Sequence, residues 1–414
     1  MKDLLLPVAL DTLDVSQKLA DSPISIEWVL NGLLEGDDKF KTLCTSSKVR
    51  NVSASIIGAG KGFVSKVYLV SIEFTNLEPY SVVLKVPGIE SLAESYSEHH
   101  DIQSQFVYMH NLECEFYEKF ASHIDISLPK IYKIQRWTVG TQPGALLMES
   151  FAGTSHCYGM YGESSVDQVD KAITQLVHFQ KYFLCLPSED WRGKYPFVQY
   201  DPTMKANFFA PFLAKLKTMK PAVFDKGVDI YLKYTNQANF YKYTTCDVGK
   251  DLGLPTVLSH GDYSNNNLLW KTNGGGSVSN DLAAILDWQV IHEGCMTSDL
   301  ARFMAVNMDG ELRRKHQMEI LKTYFDSLKK LMKLDGRSVD FTYDQMERAY
   351  KANFVGHTMI ALFVPAFYFA DKEWPDDERE MIEDEREKSL KRAELCLEDA
   401  LEWLEELPEE KLLD

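Results

Sequence analysis

The run His260-Gly261-Asp262-Tyr263-Ser264-Asn265-Asn266-Asn267 is followed, after a second apolar stretch, by Ile285-Leu286-Asp287-Trp288. An H-x-D-x-x-x-x-N loop and a later Asp closing a hydrophobic strand are the parts needed to move a phosphoryl group onto a hydroxyl. That reaction requires a carboxylate to orient the attacking hydroxyl and take its proton, a role for Asp262. It also requires oxygen ligands for the Mg²⁺ that bridges nucleotide phosphates, a role for Asn267 and Asp287. His-Gly-Asp alone is equally an ordinary loop turn, and consecutive Asn residues are common in turns. The register of Asn267 and the strand-borne Asp287 is what makes the pattern catalytic. His260 is read as a scaffold residue bonding nearby backbone, because Asp262 is better placed to accept a proton.

The nucleotide needs further groups, and the N-terminal part of the chain offers them. Gly58, Gly60 and Gly62 sit between two strand-like runs, where backbone N–H groups can face phosphates, although any tight hairpin has the same composition. Lys85 lies inside Val82-Val83-Leu84-Lys85-Val86-Pro87. A buried unpaired ammonium is costly, so this is either a sheet-edge Lys or one that meets the α- and β-phosphates. A partner carboxylate would come from the following helix, which carries Glu113, Glu115 and Glu118; Glu115 and Glu118 can share a face, and spacing alone does not choose. The run Ala145–Phe151 passes from apolar to polar. As a strand entering a hinge, it would present the backbone of Met148, Glu149 and Ser150 to adenine; a plain core strand would look the same.

These residues must be positioned by two kinds of element. After a helical stretch behind Asp21-Ser22-Pro23, the pattern from about Val52 alternates: a strand, the Gly-rich turn, a second strand, then a third ending at Pro87-Gly88. Residues 105–122 return to helical spacing, and two more strands follow Pro129. Residues 1–150 therefore read as a β-rich unit with one prominent helix. Residues 151–414 read as a helical unit, interrupted between Thr256 and Trp288 by a hairpin-like β segment with the flexible connector Asn273–Asn280. The charged tail from Asp371 places Leu390, Ala393, Leu397, Ala400, Leu401 and Leu404 at helical spacing, an amphipathic helix packed on the body. The class is α+β.

Composition removes other functions. The 414 residues carry 44 Lys and Arg against 61 Asp and Glu, a formal net charge of −17, which opposes binding to nucleic acid. The longest apolar run, Met359–Ala370, contains Pro365 and falls short of the roughly 20 residues of a spanning helix, so it reads as a buried core helix and no membrane partner is expected. Seven scattered Cys form no C-x-x-C pair, which suggests neither a disulfide framework nor a zinc site. The expected location is cytoplasmic.

With HGDxxxxNxLW, ILDWQ and SDLARF in order, the chain resembles the CHK kinase-like, or ecdysteroid kinase-like (DUF1679), family, related to choline kinases and aminoglycoside phosphotransferases. The resemblance covers roughly residues 50–400. It implies a bilobed protein-kinase-like fold, ATP or GTP as donor with Mg²⁺, and a small hydroxylated acceptor of steroid, glycoside or amino-alcohol type. The family's E-[VIC]-x-F-Y helix motif falls on Glu113-Cys114-Glu115-Phe116-Tyr117, which selects Glu113 as the partner of Lys85. By the same resemblance Asp299 braces the catalytic loop. The chain departs from the family at Tyr263-Ser264, beside the acceptor position. Tyr263, Phe354, Phe363, Phe367 and Tyr368 are either acceptor-lining aromatics or plain core. The short stretch from Gln289 to Asp299 leaves little room for a protein-kinase activation segment. The alternative to a small-molecule kinase is a pseudokinase, a nucleotide-binding or scaffolding module without turnover.

Overall fold

The computed structural model describes residues 13–58, 65–88, 100–197, 202–370 and 374–413. The chain divides into two compact units. The first comprises Met1–His123, Leu128–Ser155 and Leu286–Val290; the second comprises Ile124–Ser127, His156–Ile285 and Ile291–Asp414. The segment bearing Asp287, expected with the C-terminal unit, thus belongs to the N-terminal one. An antiparallel sheet with one long helix, followed in the chain by a mainly helical unit, gives the α+β class.

In the first unit, α1 (Ile26–Gly36) starts where the Ser25 hydroxyl accepts the Trp28 N–H at 3.2 Å. Its stripe Ile26, Val29, Leu30, Leu33 and Leu34 is buried. After α2 (Asp38–Ser46) come β1 (Val49–Ile57), β2 (Ser65–Phe74), β3 (Tyr80–Pro87), α3 (His100–Lys119), β4 (Ile131–Gln135) and β5 (Ala145–Glu149). The strands form one sheet in the order β1-β2-β3-β5-β4, with every neighbouring pair antiparallel. Because side chains alternate across a strand, Val82, Leu84 and Val86 enter the core with the α1 stripe, and Lys85 projects from the other face. Lys85 stands opposite Val67 of β2 and Leu146 of β5. It is therefore on the central strand, not at a sheet edge. α1 lies so close to β4 that a Cβ on Gly36 would come within 2.6 Å of the Tyr132 carbonyl oxygen, a backbone atom that cannot swing aside.

The second unit is built from the helices Val166–Cys185, Pro202–Met219, Pro221–Thr235, Ser298–Asn307, Gly310–Leu334, Tyr343–Phe369 and Arg379–Leu404, with shorter ones between. The strands Leu268–Thr272 and Val278–Ile285 pair antiparallel around a connector shorter than expected, because Val278, Ser279 and Asn280 already belong to the second strand. The tail helix Arg379–Leu404 buries Leu390, Ala393, Leu397, Ala400 and Leu404, while Leu401 is half-buried. Arg392 on this helix is buried and donates to the Val306 carbonyl at 2.6 Å and to Glu163 at 2.7 Å. The apolar run Met359–Ala370 closes the helix Tyr343–Phe369, which is long and apolar enough to cross a membrane by length and composition. Within its most apolar window, 83% is buried inside the protein, so here it serves as a core helix.

Candidate active site

Three charges meet in the first unit. Lys85 Nζ donates to Glu113 Oε2 at 2.7 Å and to Asp287 Oδ1 at 2.6 Å. The side chains of Lys85, Glu113 and Asp287 are 12%, 1% and 24% exposed. Burial alone would lower the Lys85 pKa, but the two carboxylates outweigh it and raise it above the ordinary lysine value. Glu113 is pushed up by burial and by the nearby Asp287, against the pull of Lys85 and a hydrogen bond from the Trp288 backbone. Glu115 and Glu118 instead make the outer ion pairs with Lys119 and Arg136.

Helix geometry explains why Glu113 is the inward carboxylate. Glu113 and Phe116 stand at i and i+3 on one face of α3. Phe116 stacks on Trp288 with centroids 3.9 Å apart and planes 5° from parallel, an aromatic contact worth about 0.5–1.5 kcal/mol beyond its burial. One helix face therefore holds two consecutive residues of the 286–290 segment, Asp287 through Lys85 and Trp288 through the stack. Asp287 itself has φ +68, the left-handed region that Asp tolerates better than most residues. Its second oxygen accepts Gln289 Nε2 at 3.0 Å.

His110 lies one turn before Glu113 and is buried in α3. Burial holds its imidazole down to about 4, helped by the Lys85 and Arg136 charges against a hydrogen bond to the Gln135 carbonyl at 2.9 Å. The unfolded chain, with an imidazole near 6.5, takes up the proton first as pH falls. Folding stability should therefore drop between about pH 6.5 and 4, by about 3 kcal/mol in all. Urea midpoints across this range should show that slope, and His110→Gln should flatten it.

The other residues expected to meet a nucleotide are partly engaged within the protein. Glu149 commits its N–H to the Lys130 carbonyl at 2.8 Å, so that group is not free for a base edge. Met148 is buried and pairs with Val83 and Ile131, and the Ser150 hydroxyl accepts the Ala152 N–H at 3.3 Å. Gly58 has φ +68, a conformation favouring glycine; Gly60 and Gly62 lie outside the described residues.

The catalytic-type loop is in the second unit. Asp299 is buried and accepts the N–H groups of His260 at 2.8 Å and Gly261 at 2.9 Å. Asp299 thus braces the loop. His260 is also buried, and its Nδ1 accepts the Asp262 N–H at 3.2 Å, a scaffold contact. Asn267 Nδ2 donates to both the Asp262 carbonyl and Asp262 Oδ2 at 2.9 Å. Asn265 serves the loop differently, since its N–H goes to Asn307 Oδ1 at 2.9 Å and its amide to the Gly162 carbonyl at 3.1 Å. Arg302 donates to Asp262 Oδ1. Motif spacing does not point to this contact, although a lone charge in Leu300-Ala301-Arg302-Phe303-Met304, three residues after Asp299, is a usable signal for it.

The aromatic expectations divide. Tyr263 is buried and its hydroxyl donates to the Ala172 carbonyl at 2.9 Å, so its side chain is core and not acceptor lining. Phe354 is likewise core, packed on Trp403. Phe363, Phe367 and Tyr368 join a cluster with Tyr161, Phe208, Phe209 and Phe212, several of them only half-buried.

Against this geometry, the DUF1679 family model, described as "Uncharacterized oxidoreductase dhs-27", matches residues 39–407. The chain belongs to the DUF1679 family. Among curated relatives it is 28% identical over 350 residues to the uncharacterized oxidoreductase dhs-27 of Caenorhabditis elegans, covering 81% of this chain and 42% of that protein. It is 25% identical over 144 residues to the uncharacterized kinase-like protein D1044.1 of the same organism, 35% of each. The chain thus spans less than half the length of the curated relatives it matches. Solved structures with remote likeness include a putative aminoglycoside phosphotransferase from Ralstonia eutropha, 12% identical with TM-score 0.44, covering 85% of this chain and 93% of that one. Another is the Plasmodium vivax ethanolamine kinase, 11% identical with TM-score 0.43, covering 83% and 81%. The functional reading rests on the residues of this family member itself.

Proposed function

We propose that this protein is a small-molecule kinase that transfers the γ-phosphate of ATP to a hydroxyl of a small metabolite. The observation that carries the reading is Lys85, on the central strand and held between Glu113 and Asp287. A lysine buried among two carboxylates, inside the run Val82-Val83-Leu84-Lys85-Val86, is explained by a phosphate-binding role. Asp262 takes the proton of the acceptor hydroxyl, and its carboxylate plane is held by Asn267 and Arg302. Lys85 meets the donor phosphates. The Asp287 carboxylate suits Mg²⁺, since among the described residues each of its oxygens has one hydrogen bond, which leaves lone pairs for a cation, and Asn267 would supply the second hard oxygen ligand. When bound, Mg²⁺ would neutralise the phosphate charge. The acidic composition argues against nucleic acid as acceptor, and the short segment after Gln289 against a protein. The oxidoreductase name describes a relative of which most lies outside the aligned stretch.

Thermal unfolding tests the nucleotide site directly. Mg·ATP at about 100 times its dissociation constant should stabilise the wild type by about 2.7 kcal/mol. Asp287→Asn preserves side-chain size and tolerance of the positive φ, and should abolish the Mg-dependent upshift. A wild type that shows no upshift at saturating nucleotide, and no phosphorylated product from a metabolite extract, returns the chain to the scaffold reading.

A further inference from the structure

We infer that Arg302 is a positioning residue for the proposed phosphotransfer, fixing the Asp262 carboxylate from the helix Ser298–Asn307. This rests on Asp262 being the base. The helix touches the loop at three places. Asp299 holds the His260 and Gly261 N–H groups, Arg302 holds Asp262 Oδ1, and Asn307 Oδ1 accepts the Asn265 N–H. Asp299 and Arg302 are three residues apart and therefore share a face. One turn of helix thus grips the loop backbone with its acid and the loop carboxylate with its base.

Other buried arginines of this unit show what a structural arginine does here. Arg392 donates to the Tyr161 and Val306 carbonyls as well as Glu163, and Arg313 bonds Gln317 and pairs with Asp399. Both tie helices together. The guanidinium of Arg302 hydrogen-bonds to Asp262 alone among the described residues, with side chains 11% and 25% exposed. Asn267 takes the other carboxylate oxygen at 2.9 Å. Two donors on opposite oxygens remove the rotation of the carboxylate about its last torsion. Each oxygen keeps a lone pair, so the acceptor hydroxyl can still donate to a carboxylate already aimed. A neutral or shortened residue at 302 leaves Asn267 as the single restraint.

The test compares wild type, Arg302→Gln, Arg302→Lys and Arg302→Ala in phosphotransfer and in thermal unfolding with Mg·ATP. The expected result is a kcat lowered by up to about 100-fold in Arg302→Gln and Arg302→Ala. The KM for Mg·ATP and the nucleotide upshift should stay at wild-type values, and Arg302→Lys should recover part of kcat. Dilute guanidinium should restore part of the Arg302→Ala rate, which a loss of packing would not allow. Wild-type kcat in Arg302→Gln overturns the inference and leaves the kinase reading standing. A loss that extends equally to the nucleotide upshift and resists guanidinium assigns Arg302 to folding. A wild type without turnover removes the kinase reading and this inference together.

Discussion

Asp262→Asn is expected to leave a folded protein that still binds Mg·ATP but transfers phosphate about 10²- to 10⁴-fold more slowly. The substitution keeps the planar shape of the side chain and an oxygen that can accept from Arg302, so the loop retains its bracing through Asp299. What it removes is the ability to take a proton, and with it the charge that orients the acceptor hydroxyl. The amide also faces Asn267 Nδ2 with a donor where a carboxylate oxygen had accepted, so one restraint at 2.9 Å is lost as well. Initial rates on an acceptor fraction, measured beside the Mg·ATP thermal upshift, separate the two effects. A variant that turns over at the wild-type rate would exclude Asp262 as base.

Much of this arrangement is legible in the amino-acid sequence, for physical reasons that differ from residue to residue. The loop from His260 to Asn267 can be read because the proposed phosphoryl transfer asks for particular residue types at a spacing. Lys85 can be read because an ammonium inside Val82-Val83-Leu84-Lys85-Val86 needs a reason to be there; that its strand is central depends on pairings far apart in sequence. Glu113, Glu115 and Glu118 cannot be told apart by periodicity, since three carboxylates along a helix differ only in where the helix packs. The stack of Phe116 on Trp288 is what records that packing. Tyr263 looks like part of an acceptor wall because it follows Asp262, yet its hydroxyl finds the Ala172 carbonyl inside the core. Of the three adjacent asparagines, Asn265 anchors the loop to Gly162 and Asn307, while Asn267 reaches Asp262. Turn propensity treats them alike; only their contacts differ. For Arg302 the sequence marks the residue but not its partner. One charge in an apolar helical run reads as part of the Ser298–Phe303 motif, and its partner lies 40 residues away on another element.

Lys85→Met should show the largest combined loss, in stability and in nucleotide binding. Methionine matches the length and apolar stem of lysine, so the packing around Val67 and Leu146 survives. The cation does not. Glu113, 1% exposed, and Asp287 would then face each other without a positive charge between them. Breaking a buried pair by removing one partner costs about 3–5 kcal/mol when the remaining charge stays ionised. Glu113 already has its pKa raised by burial and by Asp287, so without Lys85 it should rise further and take up a proton to limit that cost. A carboxyl whose pKa in the folded state lies above its unfolded value of about 4.3 loses stability as pH climbs from there through the folded pKa. The deficit of Lys85→Met relative to wild type should therefore be smallest in acid and widen toward neutral pH. Adding Glu113→Gln removes the stranded charge and should recover most of the stability. It should not bring back the Mg·ATP upshift, because the donor phosphates still lack their ammonium. Urea denaturation across pH, run beside nucleotide thermal shifts, reads both quantities on the same variants. A wild-type upshift in Lys85→Met would deny the lysine its phosphate role, whatever its part in holding Glu113 and Asp287.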